Sequence, residues 1–440
     1  MRKALLFVLL VSQLTWALDR QPNSDFRLRR QSLASKANGA AVLLFASNEA
    51  EGPNDLYGYR PDDNFFYLSG WSEPGAALLI VGVANSNDRP YMEILFLPNH
   101  NPSQEKWTGP KLGADSPDVG KITGFDHVEV LDSLRSELAR LLPLKKAAVL
   151  TDVVADDEIS NSTAPFDWLK RANAFPVGVS FQDVRPMLAS LRTYKDSGEI
   201  ERIRHATDAS IAAHFAAMHT VKPGVTEREA SALMQYEWGK RGCERPAYAP
   251  IVGSGFYSTV LHYSEDSGTM QSGDLVVIDA AGEYAMYASD ITRTLPVSGK
   301  FTPRQREIYD IVLGAQQAAA AAFRSGKSRL RRDHPDSLHD VAYNYINTHG
   351  KDLHGEPLGK YFIHGLGHYV GLNVHDPGDY DVPLGPGAVF TLEPGIYIPE
   401  EKLGVRIEDI LYVDQDGKLV NLTGNLPHTA DDVERAMAGK

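Results

Sequence analysis

Acidic side chains interrupt three apolar runs that otherwise have the pattern of buried β-strands. Asp279 ends the run LVVI, Glu393 follows VFTL, and Glu408 follows the segment VRI. A buried carboxylate is costly unless it is paired, hydrogen-bonded or bound to a metal ion. A fold that buries these strands must therefore supply compensating positive charge where they end.

A fourth acid is expected near the first of these. The stretches DLVVIDA, residues 274–280, and YASDITRT, residues 287–294, both have strand patterns. Gly282 lies between them and is predicted to form a turn, so the two strands should pair as a hairpin with Asp279 facing Asp290. Each aspartate alone is more typical of a turn or a helix cap. The combination with the later acids favours a shared site.

Glu393 and Glu408 are predicted on neighbouring strands. Two ionised glutamates without partners would repel each other, and a centre of two cations removes that repulsion. Side chains alternate along a strand, so Arg406 and Glu408 share a face in VRIEDI. Arg406 is expected either to offset part of the carboxylate charge or to form an ordinary structural ion pair.

The glycine-rich stretch HGLGHYVGLNVHD, residues 364–376, adds three histidines, His364, His368 and His375. Glycine lets backbone approach a site closely. Ligation by several carboxylates and at most one imidazole is more typical of manganese sites than of structural zinc sites, which are rich in thiolates. Zinc, cobalt and iron remain alternatives. Together the acids and histidines predict a hydrolytic site with two metal ions, which can share a hydroxide and polarise a carbonyl.

Length and charge narrow the class of protein. The 440 residues are typical of two domains, and the formal net charge of −13 argues against a general nucleic-acid binder, so no nucleic-acid partner is expected. Cys243 is the single cysteine, which excludes an intramolecular disulfide. We expect Cys243 to be a buried apolar residue.

Residues 1–17 have the layout of a secretory signal peptide, with Arg2 and Lys3, an apolar run over residues 4–11, and Ala17. The apolar run is too short to span a membrane comfortably. We therefore expect an exported protein, periplasmic or extracellular, without a stable membrane span after signal removal. An uncleaved anchor is the alternative.

Two domains of different class are predicted after this segment. Strand-like and helical runs alternate over residues 24–185, which predicts an α/β domain. Residues 186–436 mix helices with paired strands, which predicts an α+β domain. Its predicted helices cover residues 195–221, 226–241 and 303–323.

Six stretches together resemble, in order, the motifs of a known family. They are YGYRPDDNFFYLSGWSEPGAALL, GSGFYSTVLHYSED, IDAAGEYAMYASDITRTLPVSGKFT, HGLGHYVGLNVHD, TLEPGIYI and GVRIEDI. The chain is similar over nearly its whole mature length to the Xaa-Pro aminopeptidases (aminopeptidase P), which are metallopeptidases of the pita-bread fold. The resemblance implies a pita-bread catalytic domain preceded by an α/β N-terminal domain.

The resemblance also implies roles for individual residues. The implied metal ligands are Asp279, Asp290, His368, Glu393 and Glu408, with Asp290 and Glu408 bridging two divalent ions. The implied supporting residues are His262 and His364 in the substrate pocket, His375 beside the bound peptide, and Arg406 and Tyr397 near the metals. A hydroxide bridging the metals would attack the carbonyl before proline, and Glu393 would assist proton transfer to the leaving nitrogen.

Substrates and partners follow from the same resemblance. Proline-containing peptides are the expected substrates, and relatives form dimers or tetramers in which N-terminal domains line a neighbour's site. Trp71 and Trp107 are candidates for that contact, although burial in their own domain is the simpler expectation. The alternatives are a prolidase, which cleaves Xaa-Pro dipeptides with the same ligands, and a non-catalytic peptide-binding protein of this fold.

Overall fold

The computed structural model of the protein describes residues 19–47, 56–82, 91–142, 148–152 and 179–439. The predicted signal segment at residues 1–17 lies outside these described residues. Two groups of strands follow one another along the chain, and no sheet of the described residues mixes strands from both groups.

The N-terminal part contains one mixed sheet. Its strands are β1 Ala41–Phe45, β2 Ala77–Val81, β3 Met92–Leu97, β4 His127–Val130, β5 Ala148–Thr151 and β6 Ser180–Asp183. Its helices are α1 Asn23–Ala37, α2 Asp63–Ser69, α3 Glu105–Thr108, α4 Val119–Thr123 and α5 Leu134–Leu141. The strand order is β4-β3-β2-β1-β5-β6, in which β2 runs antiparallel to β1 and β3 and the other pairs are parallel. This arrangement confirms the α/β class expected here.

Strand β1 shows why an inner strand of this sheet is apolar at every position. Val42 and Leu44 pack into one apolar cluster, and Leu43 and Phe45 pack into a second one. Successive side chains of a strand point to opposite faces of the sheet. Both faces are therefore covered, and the strand reads as a continuous apolar run.

The C-terminal part begins with long helices. Its helices are α6 Arg185–Arg192, α7 Ser197–Thr220, α8 Glu227–Gly239, α9 Pro303–Ala322, α10 Leu338–His349 and α11 Ala430–Met437. Asp196, Thr226 and Thr302 each start a helix with a capping box, in which the cap side chain and the third helical residue satisfy each other's backbone N–H. The three predicted helices are confirmed, whereas α6, α10 and α11 were not predicted. The predicted boundary at residues 185 and 186 falls at the start of α6 and stays a prediction.

None of the helices in the described part of the chain combines the length and the apolar character that crossing a membrane requires.

Small antiparallel sheets complete the C-terminal part. Its strands are β7 Arg245–Pro246, β8 Ile251–Ser254, β9 Leu275–Asp279, β10 Gly282–Tyr284, β11 Tyr287–Ala288, β12 Thr292–Pro296, β13 Val389–Leu392, β14 Gly395–Ile398, β15 Leu403–Arg406, β16 Asp409–Val413 and β17 Leu419–Asn421. They form the sheets β11-β10-β7, β12-β9-β8 and β13-β16-β17 and the pair β14-β15. Helices beside small antiparallel sheets confirm the predicted α+β class.

The predicted hairpin is correct in its pairing and wrong in its connection. β9 and β12 pair antiparallel, with Asp279 opposite Thr292. Asp290 lies two residues before β12 rather than opposite Asp279. The reason is that the connection folds into a second hairpin of β10 and β11, whose turn residues Ala285 and Met286 have φ of 50° and 76°.

Gly282 is a strand residue, so the prediction that it forms the turn is wrong. A Cβ at Gly282 would lie 2.8 Å from Cys243 Sγ and 2.9 Å from Trp238 Cγ. Glycine is therefore needed for close packing of β10 against these side chains. Cys243 is buried, as predicted.

Candidate active site

A cavity of about 540 Å³ opens in the C-terminal part and collects the predicted site residues. Nine of them line it: His262, Asp279, Asp290, His364, His368, His375, Glu393, Arg406 and Glu408. The tenth, Tyr397, is buried and hydrogen-bonded to two of these residues, Arg406 and His364. The structure thus brings together residues that lie more than a hundred positions apart in the sequence.

The four acids lie at strand ends and strand breaks. Asp279 is the last residue of β9, and Asp290 precedes β12. Glu393 lies between β13 and β14, and Glu408 lies between β15 and β16. At one of these breaks the backbone hydrogen-bonds to a different segment of the chain, where Glu408 N–H donates to Thr292 O over 3.1 Å. Interrupted strands are therefore what turns the acids toward one cavity.

The possible ligand atoms form overlapping groups. One group contains Asp279, Asp290 and Glu408, and another contains His368, Glu393 and Glu408, with all ligand atoms of a group within 4.8 Å of one another. A third group contains Asp290, His368 and His375. Asp290, Glu408 and His368 each belong to two groups. Of these three, only the carboxylates can bind two ions at once, one through each oxygen, because an imidazole whose other nitrogen is a donor ligates through a single nitrogen.

Burial makes this concentration of acid electrostatically unfavourable. It raises the pKa of Glu408 well above its ordinary value, and the neighbouring Asp290 and Glu393 raise it further. Burial also raises the pKa of Glu393 to about 7, although His368 opposes this. Carboxylates that cannot all ionise together are typical of sites that bind cations or transfer protons.

Divalent cations fit this donor set. Asp290 Oδ1 is buried and has no hydrogen-bond partner in the described part of the chain, so one oxygen is available as a ligand. The other donors are carboxylate oxygens and one imidazole, which suit hard or borderline divalent ions. Cys243, the single cysteine, does not line the cavity.

His368 is oriented toward the acids by its own backbone contact. Its Nδ1 lies 3.1 Å from Tyr369 O, which makes Nδ1 the donor and leaves Nε2 facing the cavity. Nε2 lies 3.3 Å from Asp290 Oδ2 and 3.3 Å from Glu393 Oε1. Burial would lower the pKa of His368, but Asp290 and Glu393 raise it to about 9.

Three further predicted residues form a hydrogen-bonded chain. Arg406 Nη1 donates to Tyr397 Oη over 2.8 Å, and Tyr397 Oη lies 2.8 Å from His364 Nε2. His364 Nδ1 lies 2.8 Å from Gly365 O, so Nδ1 carries a proton and Nε2 accepts from Tyr397. Burial and the nearby Arg406 lower the pKa of His364 to about 3, so this imidazole is neutral near pH 7.

His375 and His262 lie at the exposed side of the cavity. The ring of His375 is centred 4.1 Å from the ring of His368. Burial, His368 and, more weakly, His262 lower the pKa of His375. Both side chains are exposed, so a molecule entering the cavity can reach them.

Tyr248 belongs to the site and was not predicted. It lines the cavity, and its hydroxyl donates to Asp279 Oδ1 over 2.5 Å. Arg406 Nη2 donates to the other oxygen of Asp279 over 2.6 Å. The surrounding sequence PAYAP gives no chemical signal beyond a turn-rich stretch, and the contact arises only because β8 and β9 pair.

Comparison with known proteins assigns the chain to a family. A model of metallopeptidase family M24 matches residues 201–415, and a model of the aminopeptidase P N-terminal domain matches residues 26–150. The chain is 33% identical to an Xaa-Pro aminopeptidase of Haemophilus influenzae, over 94% of this chain and 97% of the relative.

Solved structures agree with the sequence comparison. Proline aminopeptidase P II from Yersinia pestis superposes with a TM-score of 0.82 at 32% identity, covering 96% of this chain and 100% of that structure. Aminopeptidase P from Escherichia coli, solved with the inhibitor Pro-Leu, gives a TM-score of 0.82 at 30% identity, with coverage of 96% and 99%.

The class is therefore a metallopeptidase, a hydrolase that uses divalent metal ions. The chain belongs to the aminopeptidase P group of metallopeptidase family M24. The α/β N-terminal part and pita-bread C-terminal part that the motifs predicted are confirmed by these relatives.

Proposed function

We propose that this protein is a metal-dependent aminopeptidase that removes the N-terminal residue of a peptide when proline is the second residue. The observation that carries the proposal is the convergence of four carboxylates and His368 in one cavity of about 540 Å³. The relatives named Xaa-Pro aminopeptidase support the substrate class, since they match this chain over nearly their whole length.

Five side chains would hold the metal ions: Asp279, Asp290, His368, Glu393 and Glu408. We propose two ions shared through Asp290 and Glu408, with manganese as the physiological metal and zinc or cobalt as alternatives. When bound, such ions supply the Lewis acidity that polarises a peptide carbonyl and generates a nucleophile from water.

Glu393 is the proposed proton carrier. In the absence of a metal ion, burial raises the pKa of Glu393 to about 7, and a bound cation would lower it, so the proposed role rests on the position of this carboxylate in the cavity. Thr391 Oγ1 donates to Glu393 Oε1 over 3.2 Å and fixes the orientation of the carboxylate. The leaving proline nitrogen must receive a proton, and we propose Glu393, a carboxylate that lines the cavity, as its source.

Other side chains bind and orient the peptide. His375 and His262 reach the cavity from its exposed side and are proposed to donate hydrogen bonds to peptide carbonyl oxygens. Ile251, Leu261 and Val374 give the cavity an apolar lining that suits a proline ring. The amide nitrogen of a proline residue carries no hydrogen, so a pocket that provides no acceptor for an amide N–H can bind proline.

The same site chemistry serves a prolidase, which takes the Xaa-Pro dipeptide alone. The match to the aminopeptidase P N-terminal domain over residues 26–150 favours the aminopeptidase. Hydrolysis of Xaa-Pro-Xaa, Xaa-Pro and Xaa-Ala-Xaa by the same preparation separates the two. Cleavage of the first alone, or of the first much faster than the others, supports the proposal. Cleavage confined to the dipeptide would make the protein a prolidase.

Assembly and export are further proposals. We propose that the protein forms a dimer or tetramer through its N-terminal part, where the side chain of Trp107 is 90% exposed and Trp71 is buried. Light scattering on the purified protein tests this, and a monomer would refute it. We also propose export directed by residues 1–17, which fractionation of cells into cytoplasmic and exported pools tests.

A further inference from the structure

The segment at residues 371–376 carries His375 into the cavity without being part of a helix or strand. Its position must therefore be fixed by individual contacts. Asp376, the residue after His375, supplies several of them and is only 3% exposed, whereas His375 and Asn373 are exposed. One buried carboxylate thus anchors a segment whose functional side chain faces solvent.

Asp376 is connected to His375 through the backbone of the segment. Asn373 N–H donates to Asp376 Oδ1 over 3.1 Å, and His375 N–H donates to Asn373 Oδ1 over 3.0 Å. Asp376 N–H donates to Tyr369 O over 2.9 Å. Movement of the carboxylate would therefore shift the backbone from which His375 projects.

Two cations from another part of the fold hold that carboxylate. Arg192, the last residue of α6, places Nη2 2.5 Å from Asp376 Oδ1. Lys195 places Nζ 3.1 Å from Asp376 Oδ2. Both cationic side chains are buried, at 2% and 4% exposure, so solvent screens these ion pairs little.

The N-terminal part adds contacts to the same segment. Arg192 Nη1 also donates to Asn64 Oδ1 over 2.8 Å, next to the start of α2. Arg60 Nη2 donates to Leu372 O over 2.6 Å, while its Nε donates to Glu283 over 2.9 Å. The segment is therefore held from the N-terminal part as well as from α6.

Gly371 shows how closely this anchor is packed. A Cβ at Gly371 would lie 2.5 Å from Asp376 Oδ2 and 2.9 Å from Lys195 Cε. Any larger residue would push the carboxylate and the lysine apart. The glycine at the start of the segment is thus required by the ion pair at its end.

We propose that Arg192 and Lys195 are positioning residues for the reaction, which fix His375 in the cavity through Asp376. The inference rests on the proposed function, in which His375 contacts the peptide. Removal of Arg192 leaves a buried carboxylate with part of its partners missing, so the segment should shift to reach solvent. A displacement of about 1 Å at a side chain that binds the reacting group can cost about a hundredfold in rate.

The test is a double-mutant cycle between Arg192→Met and His375→Ala, with kcat, KM and metal content measured for each protein. We expect Arg192→Met alone to lower kcat by at least about tenfold, with metal content unchanged and KM altered less than kcat. In the His375→Ala background the same change should lower kcat by less than about threefold, because the side chain that Arg192 positions is already absent. If the loss of kcat in the double variant equals the product of the losses in the two single variants, the proposal is overturned.

Two further variants keep the test decisive. Asn373→Ala removes the link between Asp376 and His375 at an exposed position, and it should show the same coupling even if Arg192→Met does not fold. Arg30→Met is the matched control, since Arg30 is a fully buried arginine whose carboxylate partner is Glu93, 2.8 Å away. Arg30→Met should lower activity equally in both backgrounds; the same coupling as Arg192→Met would show a general stability effect and refute positioning.

The cycle separates failure of this inference from failure of the proposed function. An inactive wild-type protein loaded with metal would refute the proposed function. An active wild type whose kcat is unaffected by a folded Arg192→Met would refute the positioning role alone.

Discussion

Arg406 Nη2 donates a hydrogen bond to Asp279 Oδ2 over 2.6 Å, and both residues line the cavity. The same guanidinium donates to Tyr397 Oη and to Thr292 Oγ1, and Thr292 Oγ1 in turn donates to Glu408 Oε2 over 2.7 Å. One fixed cation therefore orients two of the four acids directly or through one hydroxyl. It offsets only part of their charge, which leaves divalent ions to balance the rest.

Loss of a shared ligand should abolish both metal binding and hydrolysis. Asp290 and Glu408 each belong to two of the ligand groups, so Asp290→Ala or Glu408→Ala should reduce bound metal and lower kcat/KM by more than about a thousandfold. Metal analysis after dialysis and peptide hydrolysis check this. Asp416→Ala, at an exposed acid outside the cavity, is the control and should retain both. Full activity in either cavity variant would contradict the ligand assignment.

Tyr248→Phe should lower turnover while the fold remains intact. The change removes the 2.5 Å hydrogen bond to Asp279 Oδ1, and a hydrogen bond to a charged group contributes about 1.5–3 kcal/mol. We expect kcat/KM to fall by about tenfold or more. Tyr309→Phe is the control. It removes a tyrosine hydroxyl that donates to His428 O, and because neither residue lines the cavity, kcat/KM should be unchanged. Equal activity of the two variants would exclude a role for Tyr248.

His375→Ala should keep the metal ions and lose turnover. Its ring lies beside His368, yet the proposal assigns it to the peptide rather than to a metal. Removal of one hydrogen-bond donor that stabilises an intermediate typically costs about a hundredfold to a thousandfold in kcat. Metal content and kcat measured on the same sample decide the matter, since loss of metal in this variant would make His375 a ligand.

His339 should make the protein less stable as the pH falls below 6.5. Burial and the nearby Arg332 lower the pKa of His339 to about 4 in the folded state, whereas the unfolded chain has the ordinary value. The unfolded state therefore binds more protons between about pH 6.5 and pH 4, and the stability contributed by the neutral ring is present above that window and lost on descending through it.

The variant His339→Phe tests this pH dependence. Its ring can pack against Phe362 as the imidazole does, and His339 Nδ1 has no hydrogen-bond partner among the described residues to lose. Denaturant unfolding of both proteins, metal-free, should show wild type losing stability relative to the variant by at most about 1.4 kcal/mol per pH unit in this window. Parallel curves would mean that His339 titrates normally in the folded protein.

The sequence predicted the site because its chemistry is unusual at the level of single residues. Asp279, Glu393 and Glu408 interrupt apolar strand patterns, and burial makes such positions costly whatever the tertiary structure is. The path of the chain between Asp279 and Asp290 was predicted incorrectly, since Ala285 and Met286 take positive φ without any glycine to mark the turn.

Contacts between distant segments could not be predicted in the same way. Tyr248 reaches Asp279 because β8 pairs with β9, and Arg192 reaches Asp376 across 184 positions of the chain. Neither residue stands out within its own sequence window. Their roles depend on tertiary packing, which local patterns do not specify.

Metal-dependent hydrolysis is tested by release of the first residue from Xaa-Pro-Xaa, measured on protein stripped of metal and then reloaded with manganese or zinc. We expect no hydrolysis after stripping, recovery on reloading, and no recovery in the Glu408→Ala variant treated identically. Hydrolysis that persists in the stripped protein, or that returns equally in Glu408→Ala, would refute a metal-dependent aminopeptidase with Glu408 as a ligand.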